Sequence, residues 1–313
     1  MTKLILKENK MDKIKYFIIA MAFSFFISGC SSIRPDPGQS VFASSDEATA
    51  ALKDAVKKND TKRLMEIFGS DGKDIVFSGD EKFDVDSREW FAKKADEKMD
   101  VVRDDDVFLL KLGNDEWLFP VPLAQYDGKW FFHTAAGLDE MLNRRIGRNE
   151  LNAINVCRAI VDAQEEFARI KAAAGGQKEY ALRFISEKGK FNGLYWDDEG
   201  AKDKSPVGAR IVLASHETPF EQPRPYHGYN YVLLTAQGAD APGGAKSYLV
   251  NGKMSAGFAI AAYPASYGVS GIKTFIVSKS GIVFEKDLGN DTAKTIQDMV
   301  QFNPDDTWIP VRD

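Results

Sequence analysis

Apolar residues recur at helical spacing near the start of the chain and again at its middle, with alternating runs after each. Ala48, Ala51, Leu52, Ala55 and Val56 mark one helical face, which Ser45-Asp46-Glu47 would cap and Asn59-Asp60 would end. Leu64, Ile67 and Phe68 make a second short helix over 61–68, and 88–98 fits a third. The period then changes. Residues 107–112 read as a strand, and 117–123 and 125–133 as a hairpin turning at Asp127-Gly128. Pro120 and Pro122 place the first arm at an edge or a bulge.

A helix over 138–145 is expected to stop at Gly147. The strongest pattern follows over 149–174, where Leu151, Ile154, Cys157, Val161, Phe167 and Ile170 form one stripe and Lys171 points outward. Gly175-Gly176 ends it. A short helix is expected at 180–185, and 191–198 and 200–206 are rich in turn residues. Strands follow at 229–235, 247–250, 257–263, 272–277 and 282–286, then a last helix over 292–302. The fold class is α+β: N-terminal helices with a curved antiparallel sheet, then a long helix laid on a second antiparallel sheet.

The first 29 residues have another character. Lys13 and Lys15 precede a dozen mainly apolar residues, 16–27, too few to span a bilayer of about 20 helical residues. Ile27-Ser28-Gly29-Cys30 closes the run and resembles the lipobox of bacterial lipoproteins. That resemblance implies cleavage before Cys30, lipid on its thiol and an exported protein held at a membrane through acyl chains. An ordinary cleaved signal and an uncleaved anchor are the alternatives. Ser31 in place of an aspartate favours the outer membrane, facing the periplasm. Translation could start at Met1 or Met11. Residues 30–44, with Pro35, Pro37 and Gly38, read as a flexible tether. The expected units are 1–29, 30–44, 45–143 and 146–313.

Without residues 1–29 the chain has 284 residues, 36 basic and 44 acidic, a net charge of −8. That balance argues against nonspecific nucleic-acid binding. Cys30 and Cys157 are its only cysteines, so no disulfide forms within a lipidated chain. Cys157 reads as a small core residue, with a reactive thiol as the alternative.

Candidate chemistry is sparse. His133, His216 and His227 have no metal-ligand spacing, so neither a metal nor a cofactor is expected. Ser215-His216-Glu217 is adjacency rather than a triad. The segments 268–271 and 241–246 match neither a nucleophile elbow nor a phosphate loop. Asp104-Asp105-Asp106, and Asp197-Asp198-Glu199 with Asp203, could hold Ca²⁺ or could simply be solvated loops. Arg224, Tyr226, His227 and Tyr229 form a possible binding surface, since Pro225 and Gly228 would display aromatics on a constrained turn. The alternative is that these rings pack between sheet and helix. Arg144, Arg145 and Arg148 would either pair with acids between units or meet an anionic partner.

Three further resemblances bear on fold. EATAALKDAVKKNDTKRLMEIF with YDGKWFF resembles cone-shaped domains related to nuclear transport factor 2. Residues 149–165 with GFAIAAYPASYGVSGIKTFIVSKSGIVFEKDLG resemble the helix and sheet of pilin-like proteins, without the apolar first half of a pilin helix. Over roughly 41–312 the chain resembles an uncharacterised bacterial family, domain of unknown function 2950, through WLFPVPL, RRIGRNEL, DAQEEFA, GLYW, PYHGYNYVLLTAQG and APGG. No activity follows from that resemblance. The expected function is a non-enzymatic binding or scaffold module of the cell envelope, with an envelope protein as a possible partner. The alternative is a periplasmic hydrolase or ligand-processing enzyme using a cavity in the N-terminal unit. Acid, His or Tyr groups converging there would favour the enzyme, and an apolar plug the module.

Overall fold

The structure is a computed structural model that describes residues 33–104, 107–196, 204–208, 211, 212, 214, 215 and 224–312. Cys30 and the run 16–27 lie outside them. No helix of the described residues is long and apolar enough to cross a membrane.

Four helices come first: α1 (Ser45–Lys57), α2 (Thr61–Phe68), α3 (Lys73–Val76) and α4 (Glu81–Glu97). Side-chain oxygens cap three of them. Ser44 accepts from the Glu47 amide, Asp60 from that of Arg63 and Asp80 from that of Phe83. Five strands follow: β1 (Met99–Asp104), β2 (Val107–Leu112), β3 (Trp117–Leu118), β4 (Leu123–Tyr126) and β5 (Lys129–Phe132). They form an antiparallel sheet in the order β1-β2-β4-β5, with β3 on β2. Asp127 and Gly128, both with positive φ, make the expected tight turn. Phe68, Phe91, Phe119 and Phe132 fill the space between helices and sheet, with ring centroids 5.4–6.3 Å apart.

The expected tether is overturned from Asp36 onward. Buried Gln39 donates from its amide to the Ile67 carbonyl at 3.0 Å and the Phe132 carbonyl at 2.8 Å. Phe42 is buried and pairs with Trp130 through both backbone bonds, each 2.8 Å. A fixed glutamine and a phenylalanine in the core outweigh the Pro/Gly composition of the segment.

The break expected at Gly147 is also corrected. Helix α5 runs without interruption over Thr134–Ala173, 40 residues or about 60 Å. A helix-ending glycine takes positive φ, and Gly147 is not among the glycines that do. Its cost inside a helix, about 1 kcal/mol, is smaller than the gain from packing the turns on either side. The Nδ1 of His133 caps α5, accepting from the Ala136 amide at 3.2 Å. Burial pushes His133 down from its ordinary pKa, which favours the neutral ring that this bond needs. Thr134 donates to the Phe68 carbonyl at 2.6 Å, and a side chain at Gly137 would collide with Val121 at 2.6 Å.

Past α5 come β6 (Arg183–Ile185) and β7 (Gly193–Tyr195), paired in parallel. The helix expected at 180–185 is therefore extended chain. The reason is the buried side chain of Gln164, which holds both backbone groups of Ala181, at 2.8 and 3.0 Å. The remaining strands are β8 (Tyr229–Leu234), β9 (Ala236–Gln237), β10 (Lys246–Ser247), β11 (Leu249–Val250), β12 (Lys253–Met254), β13 (Ala259–Pro264), β14 (Lys273–Ser278), β15 (Val283–Asp287), β16 (Gln301–Phe302) and β17 (Ile309–Pro310). The last helix, α6, covers only Thr292–Gln297, because 301–302 leaves it to pair with β9.

The main sheet is antiparallel, in the order β17-β15-β14-β13-β8. Helix α5 packs on β13, β14 and β15, and α6 with β16 packs against β13 as well. Hence β13 is buried along its whole length, and its Ala259, Ala261 and Ala262 let layers approach closely. Ile154, Cys157, Val161 and Phe167 are buried as the stripe requires. Leu151 is not. At about 100° per residue it falls on the far side from Cys157 and Ile160, and it is 62% exposed. The architecture is thus α+β, with two hydrophobic cores that share no buried residue, one drawn from residues 42–132 and one from 153–308.

Lys171 does not stand idle on the outer face. Its ammonium donates to the Phe191 carbonyl at 3.0 Å and lies 5.7 Å from the centroid of Phe167. Asn155 is the better exposed control. Phe167→Ala is expected to destabilise by about 3–5 kcal/mol, and Asn155→Ala by less than about 0.5 kcal/mol. Denaturant unfolding measures both, and equally mild effects would mean that the α5 stripe does not face a core.

Candidate docking face on the long helix

The proposed turn exists and is tight. Tyr226 and Tyr229 exchange both backbone bonds, at 2.9 and 3.2 Å, around His227 and Gly228. These two have φ of 52° and 75°, the left-handed pair that a two-residue hairpin turn requires. Glycine is needed at 228 on a second count, since a Cβ there would lie 2.5 Å from the Asn149 amide nitrogen. A histidine at positive φ costs about 1–2 kcal/mol. The ring it holds out is exposed, 4.2 Å from that of Tyr226, with Nδ1 3.5 Å from the Asn152 amide nitrogen.

Tyr229 is corrected from surface to core. It is fully buried, and its hydroxyl donates to the Lys273 carbonyl at 2.8 Å. Burial, then the Glu150 carboxylate, push that hydroxyl far above the ordinary phenol range. Arg224 and His227 are exposed and Tyr226 is half-buried, so these three remain accessible.

Two consecutive residues of α5 hold the loop beside this turn. Asn149 donates to the Ser270 carbonyl at 2.9 Å. Glu150 accepts from the amides of Ile272 and Lys273 through one oxygen, at 2.9 and 3.0 Å. The Ala265 amide completes the set by donating to the Gly228 carbonyl at 3.0 Å. The middle of the helix is thereby stitched to the loop that leads into β14 and to the turn before β8.

The arginines divide. Arg144 donates to Glu140 at 2.7 Å and to the Leu118 carbonyl at 2.8 Å, and its guanidinium lies 5.8 Å from the centroid of Trp117. Its acid is on its own helix, so the expected pairing between units is corrected for Arg144. Arg145 and Arg148 are exposed, and no acid among the described residues pairs with either. Trp117 in turn meets Trp90 edge-on at 5.0 Å, and Trp90 lies two helical turns from Phe83 on α4. Phe83 is 61% and Trp90 43% exposed. A ribbon of side chains therefore crosses the molecule: Phe83, Trp90, Trp117, Arg144, Arg148, Leu151 and, past Asn152, His227 with Tyr226. No single stretch of sequence shows it.

Other candidates have structural duties or lie elsewhere. The Cys157 thiol is buried and pushed up to about 12, which leaves it inert at neutral pH. His216, Glu217, Asp105, Asp106, Asp197, Asp198, Glu199 and Asp203 fall outside the described residues. Among the described residues no group of acids, histidines and cysteines could hold a metal ion. A shallow groove of about 520 Å³ is lined by Glu165 and its ionic partner Lys178, 3.1 Å away, and Lys279 lies 3.7 Å from the same carboxylate.

The chain belongs to the family of proteins of unknown function described as DUF2950, whose model matches residues 39–311. No curated protein and no solved structure matches it. The pilin-like and cone-like resemblances therefore gain no support from known structures.

Glu150→Ala is expected to orphan two backbone amides and cost about 2–4 kcal/mol, whereas Glu150→Gln keeps an acceptor and costs about 1 kcal/mol. Thermal unfolding of the two variants checks this. Equal losses would assign the effect to charge rather than to the paired hydrogen bonds.

Proposed function

We propose that the protein is an exported, lipid-anchored binding module of the cell envelope that docks through the ribbon on α5. The observation that carries this reading is the row of exposed Phe83, Trp90 and Leu151 beside Arg145 and Arg148, which pair with no acid among the described residues. Aromatic residues and arginine are the types that dominate recognition surfaces. A module of this kind needs rigid presentation, and the row is set on two helices and a pinned turn. The junction Ile27-Ser28-Gly29-Cys30 supports the lipid anchor, and Ser31 supports the outer membrane, facing the periplasm. The two cores support reading 45–143 and 146–313 as separate units that share one helix.

The interior of the N-terminal core bears on the enzymatic alternative. Four phenylalanines, with Leu110, Leu112 and Val121, plug the space where a catalytic cavity would open. An apolar plug favours docking over catalysis.

Two measurements test the proposal. With a clickable fatty acid fed to cells, Cys30→Ala should lose the label, and equal labelling of mutant and parent would remove the anchor. A photocrosslinker at Leu151 in the anchored protein should form adducts with native membranes, and one at the equally exposed Val300 should not. Equal yields at the two positions would remove the docking face.

A further inference from the structure

We infer that the occupant of the docking face is the anionic phospholipid surface of the membrane that holds Cys30. This rests on the docking and anchor readings above and names their partner. Three observations carry it. The first is composition. Trp90 and Trp117 place amphipathic rings in one row with exposed Phe83, Arg148 and Leu151, Arg145 stands beside it, and neither arginine pairs with an acid among the described residues. Rings of this kind settle at headgroup depth, apolar side chains reach below it, and arginine meets phosphate.

The second is charge. The chain without residues 1–29 carries −8, so a general attraction to an anionic surface is excluded and binding has to be local. Glu140 neutralises Arg144, which leaves Arg145 and Arg148 as the cations of the row.

The third is the short span of chain between Cys30 and the first core. Only eight residues separate Cys30 from Gln39, which is fixed to Phe132, next to the start of α5, and those from Ile33 on already lie in the described structure. The nine steps from Cys30 to Gln39 reach at most about 30 Å. Arg148 lies about 21 Å along α5 from Thr134. A lipidated Cys30 therefore keeps the membrane within reach of the row, at a high effective concentration that makes even weak headgroup contacts count.

The test uses the chain from residue 30 with Cys30→Ser, so that no acyl chain contributes. It is cosedimented with vesicles of phosphatidylethanolamine containing phosphatidylglycerol, and with vesicles of phosphatidylcholine alone. Binding is expected to the anionic vesicles only and to weaken as salt rises. Arg145→Ala with Arg148→Ala should reduce it at least about tenfold, since each arginine near such a surface is worth about fivefold. Leu151→Asp should reduce it as well, and Val300→Asp should leave it unchanged. All four positions are exposed, and an unchanged thermal midpoint confirms folding. Equal binding to both vesicle types, or no effect of the arginine and leucine changes, overturns the inference. If the vesicles fail while the Leu151 crosslinker captures an envelope protein in native membranes, the lipid occupant is wrong and the docking reading stands. If both fail, both readings fall.

Discussion

Everything in this molecule depends on α5 staying helical through Gly147. The helix begins against the first core, where His133 caps it and Thr134 bonds to Phe68. It ends on the second, where Phe167 and Ala168 are buried. Between them the helix alone continues the backbone from one core to the other. A flexible joint at Gly147 would leave Arg144 with the first core and Leu151 with the second, and the row would have no fixed spacing.

The middle of α5 is held by polar bonds rather than by a hydrophobic stripe. Asn149 and Glu150 take up backbone groups of residues 270, 272 and 273. These bonds are directional, so they fix rotation about the helix axis as well as position. That decides which residues face outward. With Asn149 and Glu150 turned to the loop, Arg148 and Leu151 are left exposed. The loop they hold lies beside the Gly228 turn that presents His227, where a Cβ would meet Asn149. Sheet packing supplies the stability, and this polar stitch supplies the orientation.

Much of this was legible in the sequence because it follows from periodicity. The α5 stripe at Ile154, Cys157 and Phe167, the Asp127-Gly128 turn and the strands around β13 and β14 are set by local pattern and burial. The misses share another cause. Gln39, Gln164 and Glu150 act through single polar bonds to distant backbone, and no period announces those. Gly147 misled because its glycine signal is the same whether φ is negative or positive. Leu151 misled because its spacing of three from Ile154 matches the helical period, while its angle sets it across the helix from Ile160. Arg145, Arg148 and the turn residues could be nominated separately from composition. Their union, and the inclusion of Trp90 through Trp117, needed the fold.

The most direct test of this account is hydrogen exchange at the amides of residues 144–151 in the folded protein. A continuous helix bonds each of these amides to a carbonyl four residues earlier. They should then exchange slowly, through partial or global unfolding, on the scale seen for residues 157–167 of the same helix. Exchange at the rate of an unstructured chain across Gly147, with protection resuming only near Ile154, would contradict it and dissolve the docking row into two unrelated halves.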